Sequence, residues 1–244
     1  MTYEEIRDTV IKNNIGSSQN THLLKQRKSI LVATGKPLIV VTAQPVKTEI
    51  ELFKIGNEKL RDILKSSGGR LAGWNLDFKF DMAKPTIHGL AISDSGKSVN
   101  LFRNGYMEAS IEILKGYVYE DKEVHIEGSL KQVKLFRSPA LVEFTDSFLK
   151  KVQAVMSEIG YEAPMSYSIA LLNISGFVLY DGNEGGFHHS HSIWRDGENI
   201  EIEPITYEFL KPEYIAKELC DRLWQAFGFE GEPYYKDGKF AFAS

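Results

Sequence analysis

Three observations predict an α+β fold, with a mixed or largely antiparallel sheet packed by about three helices. Leu38-Ile-Val-Val-Thr42 is a β-branched run closed by Pro45, the pattern of a well-buried strand. Between Thr86 and about Glu127, short strand-like segments are separated by hairpin chemistry. Longer segments later in the chain carry apolar residues at helical spacing.

Taken in order, Tyr3 to Lys12 places Ile6 and Val10 at i, i+4 and predicts a short helix, followed by the polar break Asn13 to Asn20. A second helix follows Thr21, with Leu23, Leu24, Arg27, Ile30 and Leu31 at helical spacing and Gly35 as its stop. After the Leu38–Thr42 strand, Leu60, Ile63 and Leu64 mark a helix ended by Gly68-Gly69. Ile87–Ile92 and Ser98–Phe102 flank the turn Ser93-Asp-Ser-Gly-Lys97, and Asn104-Gly105 turns the chain into Met107–Leu114. These three segments form a predicted meander. Ser138-Pro139 supplies an N-cap and N1 pair for a long helix with Leu141, Phe148, Val152, Val155 and Ile159 on one stripe, ended by Gly160. Ser166–Tyr180 is uncharged and mostly apolar, which predicts a central strand kinked near Gly176. Pro212 opens a last helix with Ile215, Leu219, Leu223 and Phe227 on one face and Gly228 behind it. Residues 1–36 then read as a helical N-terminal arm, and 37–244 as a single α+β domain.

The 244 residues are 43% hydrophobic and 25% charged, which excludes a disordered chain. No apolar stretch approaches 18 residues, so no membrane span is predicted, and a cytoplasmic location is expected. One cysteine, Cys220, excludes an internal disulfide and a cysteine-based zinc site. The net charge of −4 is unevenly spread. Residues 1–36 carry six Lys/Arg against three Asp/Glu, whereas 181–244 carry six against thirteen. Only the arm leans toward phosphate neutralisation, which argues against a self-sufficient nucleic-acid binder.

Most catalytic motifs fail. Gly96-Lys97-Ser98 ends like a phosphate-binding loop, but Ala91 stands where that loop needs glycine, and strands flank it on both sides. No Gly-x-Ser-x-Gly elbow is present. No cofactor is called for. Phe187-His-His-Ser-His191 concentrates three of six histidines. His189 and His191 would share a strand face, and with Glu184 or Asp196 they could hold a metal for hydrolysis; the competing reading is a polar hairpin tip. The Arg103-Asn104-Gly105 turn offers a cation, an amide and backbone to an anion. Lys25, Arg27 and Lys28 in the arm, and Lys131, Lys134 and Arg137 before the long helix, are the basic segments open to nucleic acid.

Several segments carry a resemblance. Met1-Thr-Tyr-Glu-Glu-Ile-Arg7 resembles the Ser-Tyr-Asp-Glu-Ile-Arg segment that follows the AlbA-type (Schlafen-like) domain of bacterial DNA-binding or ATP-binding proteins. Leu23–Gly35 leading into Lys36-Pro-Leu-Ile-Val40, Trp74-Asn-Leu-Asp77 with His88-Gly-Leu90, and Leu101-Phe-Arg-Asn-Gly105 with Glu108 are similar to that family's stretches in the same order. So are Leu171–Phe177, with Ser175 in place of the family's arginine, and Leu223–Phe229 with Tyr235-Lys-Asp-Gly238. The AlbA-type domain, with the family's nucleic-acid contacts and carboxylates, would precede Met1. The resemblance therefore implies a non-catalytic interaction or regulatory companion to an AlbA-type domain in cis or trans, reaching nucleic acid through that partner, in a setting such as anti-phage defence.

Overall fold

The computed structural model describes residues 27–47, 51–66, 76–78, 82–94, 96–113, 119–126, 129–180, 191–193, 197–208, 211–236 and 239–240. Residues 27–32 are helical (α1). Strand β1 (Leu38–Pro45) and helix α2 (Glu58–Lys65) follow, then β2 (Lys84–Thr86), β3 (Gly89–Asp94), β4 (Lys97–Phe102) and β5 (Met107–Glu112). Next come β6 (Tyr119–Ile126), β7 (Ser129–Phe136), α3 (Ser138–Ile159), β8 (Met165–Leu172), β9 (Phe177–Tyr180) and β10 (His191–Ile193). The chain continues through β11 (Ile200–Glu201), β12 (Ile205–Tyr207), α4 (Pro212–Ala226), β13 (Tyr235–Lys236) and β14 (Lys239–Phe240). The class is α+β.

The main sheet runs β11-β8-β1-β5-β4-β3-β2, with β12 also on β8, and every pairing in it is antiparallel. The predicted meander is β3-β4-β5. Its first turn joins Asp94 to Lys97, and its second uses Gly105 at φ 81. A side chain at Gly105 would meet Leu52 at 2.6 Å and Pro45 at 2.9 Å, so this turn needs glycine both for its left-handed backbone and for its close packing. A second sheet, β10-β9-β7-β6, contains one parallel pair, β7 with β9.

Alternation sorts the main sheet into two faces. Ile39, Val41 and Ala43 on β1, Met107, Ala109 and Ile111 on β5, and Met165, Tyr167, Ile169 and Leu171 on β8 enter the main core. Helices α2, α3 and α4 cover that face. Helix α3 is the hub. Its stripe of Leu141, Phe148, Val152 and Val155 is fully buried, and so are Glu143, Thr145, Asp146, Ser147 and Lys151 on its other sides. The Lys151 ammonium donates to the carbonyls of Ile63 (2.9 Å), Leu64 (2.8 Å) and Ser66, the C-terminal end of α2. Ser147 accepts from the Leu76 amide at 3.1 Å, and the Thr145 hydroxyl donates to the Leu141 carbonyl. Asp146 accepts from Tyr235 and Lys150, which ties the C-terminal segment to the helix.

Three expectations change. The helix predicted to stop at Gly68-Gly69 ends at Lys65, with Ser66 as its C-cap; the glycine pair lies outside the described residues. Ser138 is the first residue of α3 rather than its cap, because Arg137 holds the extended cap backbone. Ser166–Tyr180 is not one kinked strand. Asn173 at φ 56 and Gly176 at φ 78 turn the chain, so β8 stays in the main sheet while β9 joins the second. The first predicted helix, Tyr3–Lys12, and the start of the second lie outside the described residues.

Candidate functional site

The other face of the main sheet carries polar and small side chains. In register across it lie Ser168, Thr42, Glu108 and Asn100, and beside them Ala170, Val40, Ser110 and Ser98. An antiparallel sheet with one face on a core leaves its second face for water, and this alternation fits that arrangement. Here α1 covers it instead. Leu31 and Val32 pack on Leu38, Val40 and Leu172, the apolar corner of this face.

Glu108 sits beneath the helix with its side chain 1% exposed. Arg27 Nη2 donates to its Oε1 at 2.7 Å, and Nε donates to Oε2 at 3.3 Å. The same carboxylate accepts from Asn100 Nδ2 at 3.3 Å and from the Tyr106 hydroxyl at 3.2 Å. A carboxylate taken out of water needs this many donors. The Glu108 hydrogen bond pushes Arg27 above the usual arginine value. Burial, followed by the neighbouring Glu108 charge, pushes the Tyr106 phenol well above its own. Arg27 also lies over the Phe102 ring, 5.7 Å from its centroid, and Phe102 stacks with His88.

Two further ion pairs hold the arm and its connection: Lys28 with Glu201, and Lys36 with Glu112 at 3.2 Å. Asn173 Nδ2 donates to the carbonyls of Val32 and Lys36, fastening the end of α1 to the turn after β8. Between arm and sheet remains a cavity of about 250 Å³, lined by Lys28 and Leu31 above, Thr42, Glu108 and Ser168 below, and Glu203 at its side. Its two aliphatic hydroxyls are paired with each other. Thr42 and Ser168 are 2.8 Å apart, as are Ser98 and Ser110 nearby. Gln44, on the same sheet face, is 9% exposed and leaves Oε1 without a hydrogen-bond partner among the described residues. Among the described residues lining the cavity there is no histidine or cysteine, and the Glu108 carboxylate beside the Tyr106 hydroxyl is itself held by Arg27 and Asn100.

The residues expected to bind are distributed as follows. Arg27 and Lys28 are at the arm–sheet contact, and Lys25 lies outside the described residues. Arg103 pairs with Glu51 at 2.6 Å, while Asn104 Oδ1 accepts from the Tyr106 amide to close its own turn. Lys131 and Lys134 are three apart on β7 and so project from opposite faces, with Lys134 over the Phe177 ring. Arg137 occupies the cap position of α3. The arm cations therefore meet the main sheet, and the second basic segment belongs to the second sheet and its exit. Of the histidine loop, His189, Glu184 and Asp196 lie outside the described residues, and His191 opens β10 opposite Tyr180. Among the described residues no group of three His, Cys, Asp or Glu is placed to hold a metal. Cys220 is buried, and burial pushes its thiol well above the usual range, the opposite of a reactive cysteine. Among the described residues no helix is long and apolar enough to cross a membrane.

Sequence reasoning missed Thr42, Asn100, Tyr106 and Ser168, and met Glu108 only as part of a family likeness. Met107-Glu-Ala-Ser-Ile111 alternates in the way a half-exposed strand does, so Glu108 reads as solvent-facing. The lone basic side chain on an otherwise apolar helical stripe, Arg27 among Leu23, Leu24, Ile30 and Leu31, is the one signal that a buried carboxylate awaits it. No protein-family model matches the chain, and neither a curated protein nor a solved structure matches it.

Proposed function

We propose that this chain is a non-catalytic interaction and regulatory module, the companion of a nucleic-acid-directed AlbA-type (Schlafen-like) domain supplied in cis or in trans. The observation that supports this best is the use of the arm's charges. Arg27, Lys28 and Lys36 each face a carboxylate of the body, Glu108, Glu201 and Glu112. Cations neutralised in this way contribute little to counterion release from a phosphate backbone. Their work is to set the position of the arm on the sheet, which suits a segment that transmits the placement of a neighbouring domain.

The test is association with a separately purified AlbA-type domain, measured by calorimetry, beside DNA and RNA binding by the chain alone. The expected outcome is a defined complex with the domain, weakened by Arg27→Ala, and only weak nucleic-acid binding by the isolated chain at low salt. Absence of any complex, or tight salt-dependent nucleic-acid binding by the chain itself, rejects the proposal.

A further inference from the structure

On the core side of the molecule, away from the arm, a cleft of about 390 Å³ opens between the C-terminal end of α3, the start of β8 and the end of β12. Three tyrosines line it, Tyr161, Tyr167 and Tyr207, with Glu162 and Glu208 beside them. Both glutamates are exposed, and no lysine, arginine or histidine is among the lining residues. Two of the hydroxyls are already engaged. Tyr161 donates to the Pro164 carbonyl at 3.1 Å and lies 3.3 Å from that of Lys47, and Tyr207 donates to Glu218. These bonds fix the rings and commit their hydroxyl protons. Tyr167 differs: it is 1% exposed and lines the cleft from the core side. Burial and the neighbouring Tyr161 both push that phenol upward, so it stays neutral beside whatever enters.

We infer that this cleft binds a quaternary ammonium group, held against the tyrosine rings and drawn in by Glu162 and Glu208. Aromatic faces carry negative charge density and suit a large, weakly hydrated cation. A bare ammonium or a divalent metal would instead demand several converging charged oxygens, whereas the lining offers two exposed carboxylates beside the rings, and among the described residues no group of three His, Cys, Asp or Glu is placed to hold a metal. The carboxylates at the mouth contribute attraction that salt weakens. Free choline-like molecules and trimethylated lysine in a peptide present the same group, so one site serves either source.

The experiment uses the full chain and two matched pairs of probes, followed by calorimetry or by NMR shift changes at constant ionic strength. The pairs are choline against its neutral isostere 3,3-dimethylbutan-1-ol, and a trimethyllysine peptide against the unmethylated peptide. Saturable binding of choline, of the methylated peptide or of both, at least about tenfold tighter than the matched control, is the expected result and identifies the source. Tyr161→Leu and Tyr207→Leu should weaken binding by about fivefold or more, while Tyr167→Phe, which keeps the ring, should stay within about twofold. If the leucine variants fail to fold, the double variant Glu162→Gln, Glu208→Gln serves: binding should weaken and lose most of its salt dependence. Equal binding of choline and dimethylbutanol, or no saturable binding of either charged probe up to about 50 mM, overturns the assignment.

Discussion

Glu108 and Arg27 are 81 positions apart and meet beneath a helix where neither can be solvated freely. Removing one partner leaves a buried polar group short of donors, and that loss outweighs the modest net value of the pair itself. Arg27→Ala is expected to lower stability by about 1–3 kcal/mol in urea unfolding, with Arg27 a quarter exposed and solvent making up part of the loss. Glu108→Gln turns one of the two accepting oxygens into a donor facing Arg27, Asn100 or Tyr106, so it should also destabilise. The double variant should be less destabilised than the sum of the singles, and strict additivity would count against a direct interaction. Lys151 is the other informative residue. Burial, moderated by Asp77, lowers its ammonium from the ordinary lysine value to about 7. The unfolded chain then binds more protons than the folded one between about pH 7 and pH 10, so stability rises with pH across that window. The expected gain between pH 7 and pH 9 is about 2–3 kcal/mol, and Lys151→Met should abolish that part of the slope. A wild-type profile parallel to that of the methionine variant would exclude Lys151 as its origin.

At the scale of elements, the turn between β8 and β9 matters more than its length suggests. Asn173 adopts φ 56, donates its side-chain amide to Val32 and Lys36, and has its own backbone amide held by Asn199. One residue thus turns the chain from one sheet to the other and anchors the end of the arm. Asn173→Ala should cost about 1–2 kcal/mol through left-handed strain and lost hydrogen bonds. Hydrogen exchange should show the loss of protection concentrated in residues 31–36, ahead of the sheet itself; uniform loss across β8 would mean that the anchor is not local. This element was half legible in the sequence. An uncharged run with Gly176 marks strand and bend, but periodicity cannot say that the strand leaves one sheet for another, because both halves are equally apolar. The meander and α4 were legible in order and type, with β3 running Gly89–Asp94 rather than Ile87–Ile92, since hairpin turns and an N-terminal proline act through local backbone geometry.

For the whole molecule, the charge asymmetry resolves into internal complementarity. The arm's described cations lie against carboxylates of the sheet, among them Glu201 from the acidic C-terminal part. Nucleic-acid binding by the chain alone is therefore expected to be weak, and anisotropy titrations should show Arg27→Ala and Lys28→Ala changing it little while exposing the arm to proteolysis. A strong loss of nucleic-acid affinity in either variant would instead place these residues at a phosphate contact.

The amino-acid sequence by itself determined the fold class, the meander, the buried first strand and the last two helices. Each of these follows from local propensity or from the two periodicities by which strands and helices bury a face. Only the tertiary structure decided that Glu108 is buried, that Arg27, Lys28 and Lys36 are engaged, and that three tyrosines from separate elements line one cleft. Those facts depend on which elements lie against each other over separations of tens of residues, and a spacing pattern within one element carries no record of what covers it.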